Sequence, residues 1–169
     1  MDYYKGSLYI YSEDLLYIYN LYDNTWTNLK DLGKESTKLI DYAQCIYGDV
    51  LYLIMGWSDS VGDASRKIYS INLSNYSYEF QEISVPNEGS AEFLFGYDYK
   101  YNLVYLFGGG STDNGYFNNL SILDLSQLHY KFKILNEDMN TPTARKGHAM
   151  EAYNDKIYIF GGVDGNKKR

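Results

Sequence analysis

The chain repeats one short sequence unit at a constant interval, and this repetition limits its possible folds more than any other feature. Each unit is an apolar run that ends in Asn or Asp, and an aromatic residue follows six positions later. Both markers recur at intervals of 52 residues. The markers are Asn20, Asn72 and Asp124, followed by Trp26, Tyr78 and Tyr130. A fixed period of this length is typical of proteins that stack copies of one supersecondary unit.

A second apolar run precedes each unit, and turn-forming residues separate the two. The last two of these runs lead directly into glycine pairs, whereas Met55-Gly56 and Ser12-Glu13 stand at the corresponding places earlier in the chain. The runs occupy residues 8–11, 51–54, 104–107 and 157–160. Short apolar runs between turn residues predict β-strands joined in hairpins, and the 21 tyrosines favour strands too. Because a sustained helical period is lacking, we expect little helix.

The pattern resembles the Kelch repeat. The residues that carry the resemblance are Arg145, His148, Tyr158, Gly161 and Gly162 in the last copy, Gly108, Gly109, Asp124 and Tyr130 in the third, and Asn20 and Trp26 in the first. The resemblance implies an all-β fold, a Kelch-type β-propeller segment of four-stranded antiparallel blades packed face to face.

The same resemblance gives the marker residues structural roles. The glycine pairs would let one strand end against a neighbouring backbone, and the recurrent Trp or Tyr would fill the gap between blades. His148 would be a buried structural histidine, and Arg145 would bridge strands or cap a loop rather than bind an anion. Two of the four glycine pairs and two of the three terminal aromatic residues depart from the pattern of the family.

Residues 1–169 are expected to form a single Kelch segment. Its parts are a partial blade at 8–30 that begins on the second strand, blades at 40–82 and 91–134, and a partial blade at 146–160. Propellers close with about four to eight blades, so the ring is expected to be open or incomplete. The remaining blades would come from a longer chain or from a partner chain.

Composition and charge argue against nucleic acid and membrane as partners. The net charge of −7 and the pI near 4.7 disfavour nucleic acid, and the chain lacks the long apolar stretch that a membrane-spanning helix needs. Cys45 lies in an apolar run, which indicates a buried thiol. A single cysteine and the lack of a signal-peptide pattern indicate an intracellular, for example cytoplasmic, protein.

The sequence also lacks the spacings typical of common catalytic and metal sites. It contains no phosphate-binding loop, no HExxH or CxxC motif and no nucleophile elbow, and its two histidines cannot build a three-histidine zinc site. Copper oxidases with Kelch propellers need a Cys–Tyr crosslink and histidine ligands, and Cys45 does not stand in a matching pattern. We therefore expect no cofactor, no metal, no catalytic residue and no enzymatic activity from this chain.

The remaining hypothesis is a protein–protein interaction scaffold or adaptor that binds through its loops. The family resemblance points to the loops near 56–66 and 109–118 and to those near 31–39, 83–90 and 135–145. The partner-binding candidates are Trp57, Asp59, Arg66, Asp113 and Tyr116. Trp57 is the foremost of them, since tryptophan is a typical hot-spot residue, although it could instead pack on a neighbouring blade. Two alternatives stay open: part of a Kelch-propeller enzyme whose active residues lie outside this chain, or a structural subunit of a large assembly.

Overall fold

The computed structural model describes most of the chain. The described residues are 1–12, 15–29, 38–58, 63–65, 67–82, 96–111, 115–127, 129, 132–135 and 139–164. Within these ranges every regular element is a β-strand, and all the strand pairs whose register is defined are antiparallel. The predicted all-β class is therefore confirmed. Contacts divide the chain into two compact units, Met1–Gln81 and Glu82–Arg169.

The first unit begins with a complete four-stranded sheet, which we call sheet 1. Its strands are β1 (Asp2–Tyr4), β2 (Ser7–Ser12), β3 (Leu15–Asn20) and β4 (Thr25–Leu29), in that order across the sheet. The sequence-based expectation that the chain begins on a second strand was wrong. The segment 2–4 is too short to show a strand pattern in the sequence, yet Asp2 pairs with Tyr9 and Tyr4 with Ser7.

The rest of the first unit is a four-stranded sheet, sheet 2, and a small three-stranded sheet. Sheet 2 contains β6 (Ala43–Tyr47), β7 (Val50–Ile54), β10 (Lys67–Asn72) and β11 (Tyr78–Glu82), in the order β11-β10-β7-β6. The small sheet contains β5 (Leu39–Ile40), β8 (Trp57–Ser58) and β9 (Asp63–Ala64).

The second unit contains sheet 3 and two hairpins. Sheet 3 consists of β12 (Gly96–Lys100), β13 (Leu103–Phe107), β16 (Leu120–Asp124) and β17 (Phe132–Ile134), in chain order. The hairpins are β14 (Gly110–Ser111) with β15 (Gly115–Tyr116), and β18 (Arg145–Tyr153) with β19 (Lys156–Asp164).

The core of the first unit lies between sheets 1 and 2. Alternate residues of a strand point to the same face, so Tyr9 and Tyr11 of β2 enter this core together. They belong to one buried cluster with Leu51 and Leu53 of β7. Burial of large apolar side chains is worth about 1.5–3 kcal/mol each, which makes this cluster the main force that holds the two sheets together.

A buried glutamine connects the same two sheets through hydrogen bonds. Gln44 on β6 accepts a hydrogen bond from the backbone N–H of Tyr11 through Oε1 at 3.1 Å. Its Nε2 donates to Asp2 Oδ2 at 2.7 Å and to the carbonyl of Tyr9 at 2.9 Å. Because Gln44 is only 2% exposed, these contacts satisfy polar groups that water cannot reach.

The repeated Asn and Asp markers cap the turn that follows the third strand of each sheet. The side-chain oxygen of Asn20 accepts the N–H of Tyr22, and that of Asn72 accepts the N–H of Ser74, each at 2.8 Å. The carboxylate of Asp124 accepts the N–H of residue 126 at 2.9 Å. Such a turn needs a short side chain with an oxygen acceptor, which explains why this position alternates only between Asn and Asp.

Candidate functional site

The residue pair that follows the apolar run of the second strand is left-handed in sheets 2 and 3, where the strand ends, and in the last hairpin, where β19 continues to Asp164. Gly108 and Gly109 have φ angles of 66° and 91°. Met55 and Gly56 adopt nearly the same angles, 57° and 93°, although a methionine replaces the first glycine. The glycine pair on β19 has φ of 73° and 82°. The conformation is thus retained where the glycine pair in the sequence is not.

In the first unit this turn leads into the small sheet that carries Trp57. Trp57 pairs with Ile40 on one side and with Ala64 on the other. The backbone N–H of Ser65 also donates to the carbonyl of Gly56 at 2.6 Å, which closes the hairpin. The indole is half-buried, so Trp57 both packs on its unit and keeps an accessible part. Its loop is fixed by backbone hydrogen bonds on both sides.

In the second unit the corresponding loop forms the β14–β15 hairpin, which carries Tyr116. The ammonium group of Lys146 lies 4.8 Å from the centroid of the Tyr116 ring, a cation–π contact. Backbone hydrogen bonds hold this hairpin against the start of β18: Gly109 donates to Arg145 at 2.9 Å, and Arg145 donates to Phe117 at 3.0 Å. Tyr116 and Lys146 therefore form a half-buried pair at the loop end of the second unit.

The guanidinium of Arg145 binds backbone and side-chain oxygens of its own unit. It donates to the carbonyl of Thr143 at 3.0 Å, to Thr143 Oγ1 at 2.9 Å and to the carbonyl of Gly161 at 2.9 Å. Three of its donors are engaged with neutral acceptors, so Arg145 bridges the loop to strand β19.

His148 is buried against Phe107, with ring centroids 5.5 Å apart in an edge-to-face arrangement. The side chain is 8% exposed, and neither ring nitrogen has a hydrogen-bond partner that satisfies standard geometry among the described residues. Burial, followed by the nearby charge of Arg145, lowers the pKa of His148. The ring thus favours the neutral form.

Several predicted site residues lie outside the described residues. These are Asp59, Arg66, Asp113 and Tyr130, and for Tyr78 the structure describes only the strand position. Trp26 is described and is 58% exposed, with its ring 4.8 Å from that of Tyr19. The predicted contact of Trp26 between blades thus stays a prediction.

The sequence interpretation missed two residues that the structure brings into prominence. Gln44 is the single polar residue in the run 43–46, and that isolation was the available signal for a buried polar contact. Lys146 lies next to a recognised motif residue, but its contact with Tyr116 spans 30 positions of sequence and left no local pattern.

In the described part of the chain, no three metal-ligating side chains come together, and no helix is long and apolar enough to cross a membrane. Cys45 is buried, and loss of hydration raises the pKa of its thiol, which keeps it protonated and unreactive.

Comparison with known proteins agrees with this architecture. Residues 42–169 match the sequence profile of the KLHDC2/KLHL20/DRC7 Kelch-repeats domain. The chain belongs to the Kelch-repeat family. It resembles the solved structure of YjhT with a TM-score of 0.71 and 13% identity, over 95% of this chain and 59% of that one. The predicted Kelch-type propeller fold is therefore confirmed.

The curated relatives that the chain matches are much longer than the chain, which spans less than a quarter of the length of each. Tip elongation aberrant protein 1 of Schizosaccharomyces pombe is 28% identical over 89% of this chain and 13% of its own length. Kelch repeat-containing protein 2 of Saccharomyces cerevisiae is 29% identical over 73% of this chain and 15% of its own length. Acyl-CoA-binding domain-containing protein 5 of Arabidopsis thaliana is 27% identical over 87% of this chain and 22% of its own length.

Proposed function

We propose that this Kelch segment is a protein-binding module that recognises its partner through the loops at the ends of its sheets. The observation that carries the proposal is the small sheet β5-β8-β9, which holds Trp57 half-buried in a loop fixed by backbone hydrogen bonds. A preorganised loop loses little conformational entropy on binding, and a tryptophan offers a large contact area.

The second unit supports the same function with a loop of different chemistry. Tyr116 and Lys146 offer an aromatic ring and a cation together, a combination suited to a polar or acidic segment of a partner. The proposed partner is another protein rather than a nucleic acid, since the net charge is −7.

The test is partner capture by the full chain and by its Trp57→Ala variant. Tagged chains would be expressed in cells of the source organism, crosslinked and purified, and their partners quantified by mass spectrometry. Tyr22→Ala is the matched control, because Tyr22 is an 83% exposed aromatic residue of the same unit in the turn between β3 and β4, away from the loop that carries Trp57. We expect Trp57→Ala to lose most of the proteins that the wild type and Tyr22→Ala enrich, with an unchanged circular dichroism spectrum.

Two results would contradict this proposal. One is a folded Trp57→Ala variant that captures the same proteins as the wild type. The other is a Trp57→Ala variant that fails to fold, which would make Trp57 a core residue instead of a contact residue. Tyr116→Ala provides an independent measurement for the loop of the second unit.

A further inference from the structure

The sheets share one numbering, because the same backbone hydrogen bond closes the same turn in each of them. The donor and acceptor pairs are Leu21 with Gly6, Leu73 with Asp49 and Leu125 with Asn102, at 2.9, 2.8 and 2.8 Å. Each acceptor directly precedes a strand, namely β2, β7 or β13. Tyr11 on β2 and Phe107 on β13 are both the fifth residue after the acceptor, so their positions are equivalent.

The strand that packs against this fifth position is also equivalent in the two units. The hairpin β6–β7 closes at Tyr47, and the hairpin β18–β19 closes at Tyr153. Tyr42 and His148 each lie five residues before the closing residue. Tyr42 in the first unit therefore corresponds to His148 in the second.

The two units build the same ring contact at this place. The ring centroids of Tyr42 and Tyr11 are 5.8 Å apart in an edge-to-face arrangement. Those of His148 and Phe107 are 5.5 Å apart in the same arrangement. The second unit thus has a titratable imidazole where the first unit has a phenol.

The polar atoms of these two side chains differ in their hydrogen bonds. The hydroxyl group of Tyr42 donates a hydrogen bond to the backbone carbonyl of Tyr11. The side chain of His148 is 8% exposed, and among the described residues neither ring nitrogen has a partner with standard geometry. Because a buried charge without a partner is costly, the packing of the second unit requires a neutral imidazole.

Burial and neighbouring positive charge both oppose protonation of this ring. Burial is the larger cause and the charge of Arg145, on the same strand, is the second, and together they lower the pKa of His148. Lys146 adds another positive charge on β18. Phe107 on β13 and Gly162 on β19, which lie against His148, are neutral.

The strands that flank β18 carry charged residues of both signs. Asp164 on β19 pairs with Arg145 across the hairpin. On β12, which packs on β18, Lys100 lies 3.2 Å from Asp155, in the turn at the far end of β18. The same strand carries Asp98, for which the structure describes only the strand position, and the test below therefore includes Asp98.

The start of β18 also holds the loop that carries Tyr116. The N–H of Gly109 donates to the carbonyl of Arg145 at 2.9 Å, and the N–H of Arg145 donates to the carbonyl of Phe117 at 3.0 Å. The N–H of Phe117 in turn donates to the carbonyl of Gly109 at 3.0 Å. Arg145 is three residues from His148, so a displacement of His148 disturbs the bonds that fix this loop.

We propose that His148 makes the second unit acid-sensitive: protonation of its ring separates the start of β18 from sheet 3 and releases the β14–β15 hairpin. The first unit, with Tyr42 at the equivalent position, stays closed. The effect on partner binding through Tyr116 rests on the proposed function, whereas the opening itself does not.

The direction of the pH effect follows from the preference of each state for the proton. The pKa of His148 is lowered in the packed state, so the opened state binds the proton more tightly. The packed state therefore has its full stability above the ordinary histidine pKa of about 6.5 and loses stability as the pH falls below it. Because one proton is taken up, the opened fraction rises by up to about tenfold per pH unit, until the pH reaches the pKa of the packed state.

The test is amide hydrogen exchange of the 169-residue chain, followed by NMR at about pH 7.5 and about pH 5.5 and corrected for the intrinsic exchange rate. The amides of Gly109 and Phe117 report on the hairpin, and their protection should fall with acid by the factor given above. The amide of Ser65, which donates to Gly56 at the equivalent turn of the first unit, should keep its protection.

Three variants identify the group that takes up the proton. His148→Tyr installs the side chain that fits the equivalent site of the first unit and does not titrate in this range, so its protection should not depend on pH. His129→Gln removes the other histidine, which is exposed, and should respond like the wild type. Asp98→Asn should also keep the response. The ring carbon shifts of His148 in the wild type give a measurement that needs no variant, and they should show a neutral imidazole at about pH 6.5.

The proposal is overturned by unchanged protection of Gly109 and Phe117 in the wild type, or by a response that persists in folded His148→Tyr. A response that Asp98→Asn abolishes would assign it to the carboxylate, and a folded chain whose His148 is already protonated at about pH 6.5 would exclude the mechanism. The opening is measured without a partner, so its failure is distinct from that of the proposed function. A chain that opens in acid but captures no protein would contradict the proposed function alone.

Discussion

At the scale of the residue, the Kelch markers divide into those that shape the backbone and those that fill space. Gly108 and Gly162 sit where a Cβ atom would lie 2.5 Å from the carbonyl oxygen of Arg145 and 2.8 Å from the Cβ of His148, respectively. Gly161 has a similar φ but no atom within 4 Å of its virtual Cβ. The adjacent glycines Gly161 and Gly162 are therefore needed for different reasons. Gly161 is needed only for its left-handed backbone conformation, whereas Gly162 also leaves room for the side chain of His148.

This difference predicts unequal costs for two alanine substitutions. Gly161→Ala should lose only about 1–2 kcal/mol, the cost of placing a side chain in the left-handed region. Gly162→Ala carries the same cost, and overlap with His148 and Lys146 should add about 1–3 kcal/mol. Urea unfolding of both variants beside the wild type measures the difference. Equal destabilisation by the two substitutions would show that the short distance from Gly162 to His148 and Lys146 does not affect stability.

At the scale of the element, the sequence predicted strands well and missed what joins one sheet to the next. The apolar runs 51–54 and 104–107 lie in strands β7 and β13, because a short apolar run between turn-forming residues marks a strand locally in the sequence. Strand β1 escaped prediction, since Asp2–Tyr4 owes its conformation to pairing with β2 and not to its own residues.

The candidate site was predictable in part for a related reason. Trp57 could be assigned to a loop from its place after the second strand, as could Tyr116. The β5–β8 pairing that fixes Trp57, and the contact between Lys146 and Tyr116, join segments far apart in sequence. Contacts of this kind leave no periodic signal in a single chain.

Gln44 gives the element scale its own prediction, because it joins sheets 1 and 2 through three hydrogen bonds. Gln44→Met keeps the length of the side chain and removes its buried hydrogen bonds to the N–H of Tyr11 and the carbonyl of Tyr9. We expect a loss of about 2–3 kcal/mol in the free energy of unfolding. Gln127→Met, at an exposed turn, is the control and should change stability by less than about 0.5 kcal/mol. Wild-type stability of Gln44→Met in urea would contradict this role.

At the scale of the whole molecule, one packing rule recurs within each unit. In the first unit Tyr9 and Tyr11 of sheet 1 pack on Leu51 and Leu53 of sheet 2, and in the second unit Phe107 of sheet 3 contacts His148 of the last hairpin. The rule requires that every sheet start its second strand in the same register, which the shared turn hydrogen bonds ensure.

The most direct test of this rule is a methyl nuclear Overhauser experiment on the chain with labelled Leu and Ile methyl groups and protonated tyrosine rings. We expect cross-peaks from the methyl groups of Leu51 and Leu53 to the rings of Tyr9 and Tyr11, and from those of Ile157 to the ring of Tyr105. Cross-peaks from Leu51 and Leu53 to Leu8 and Ile10 instead would contradict the rule, as would a lack of contacts between the two sheets.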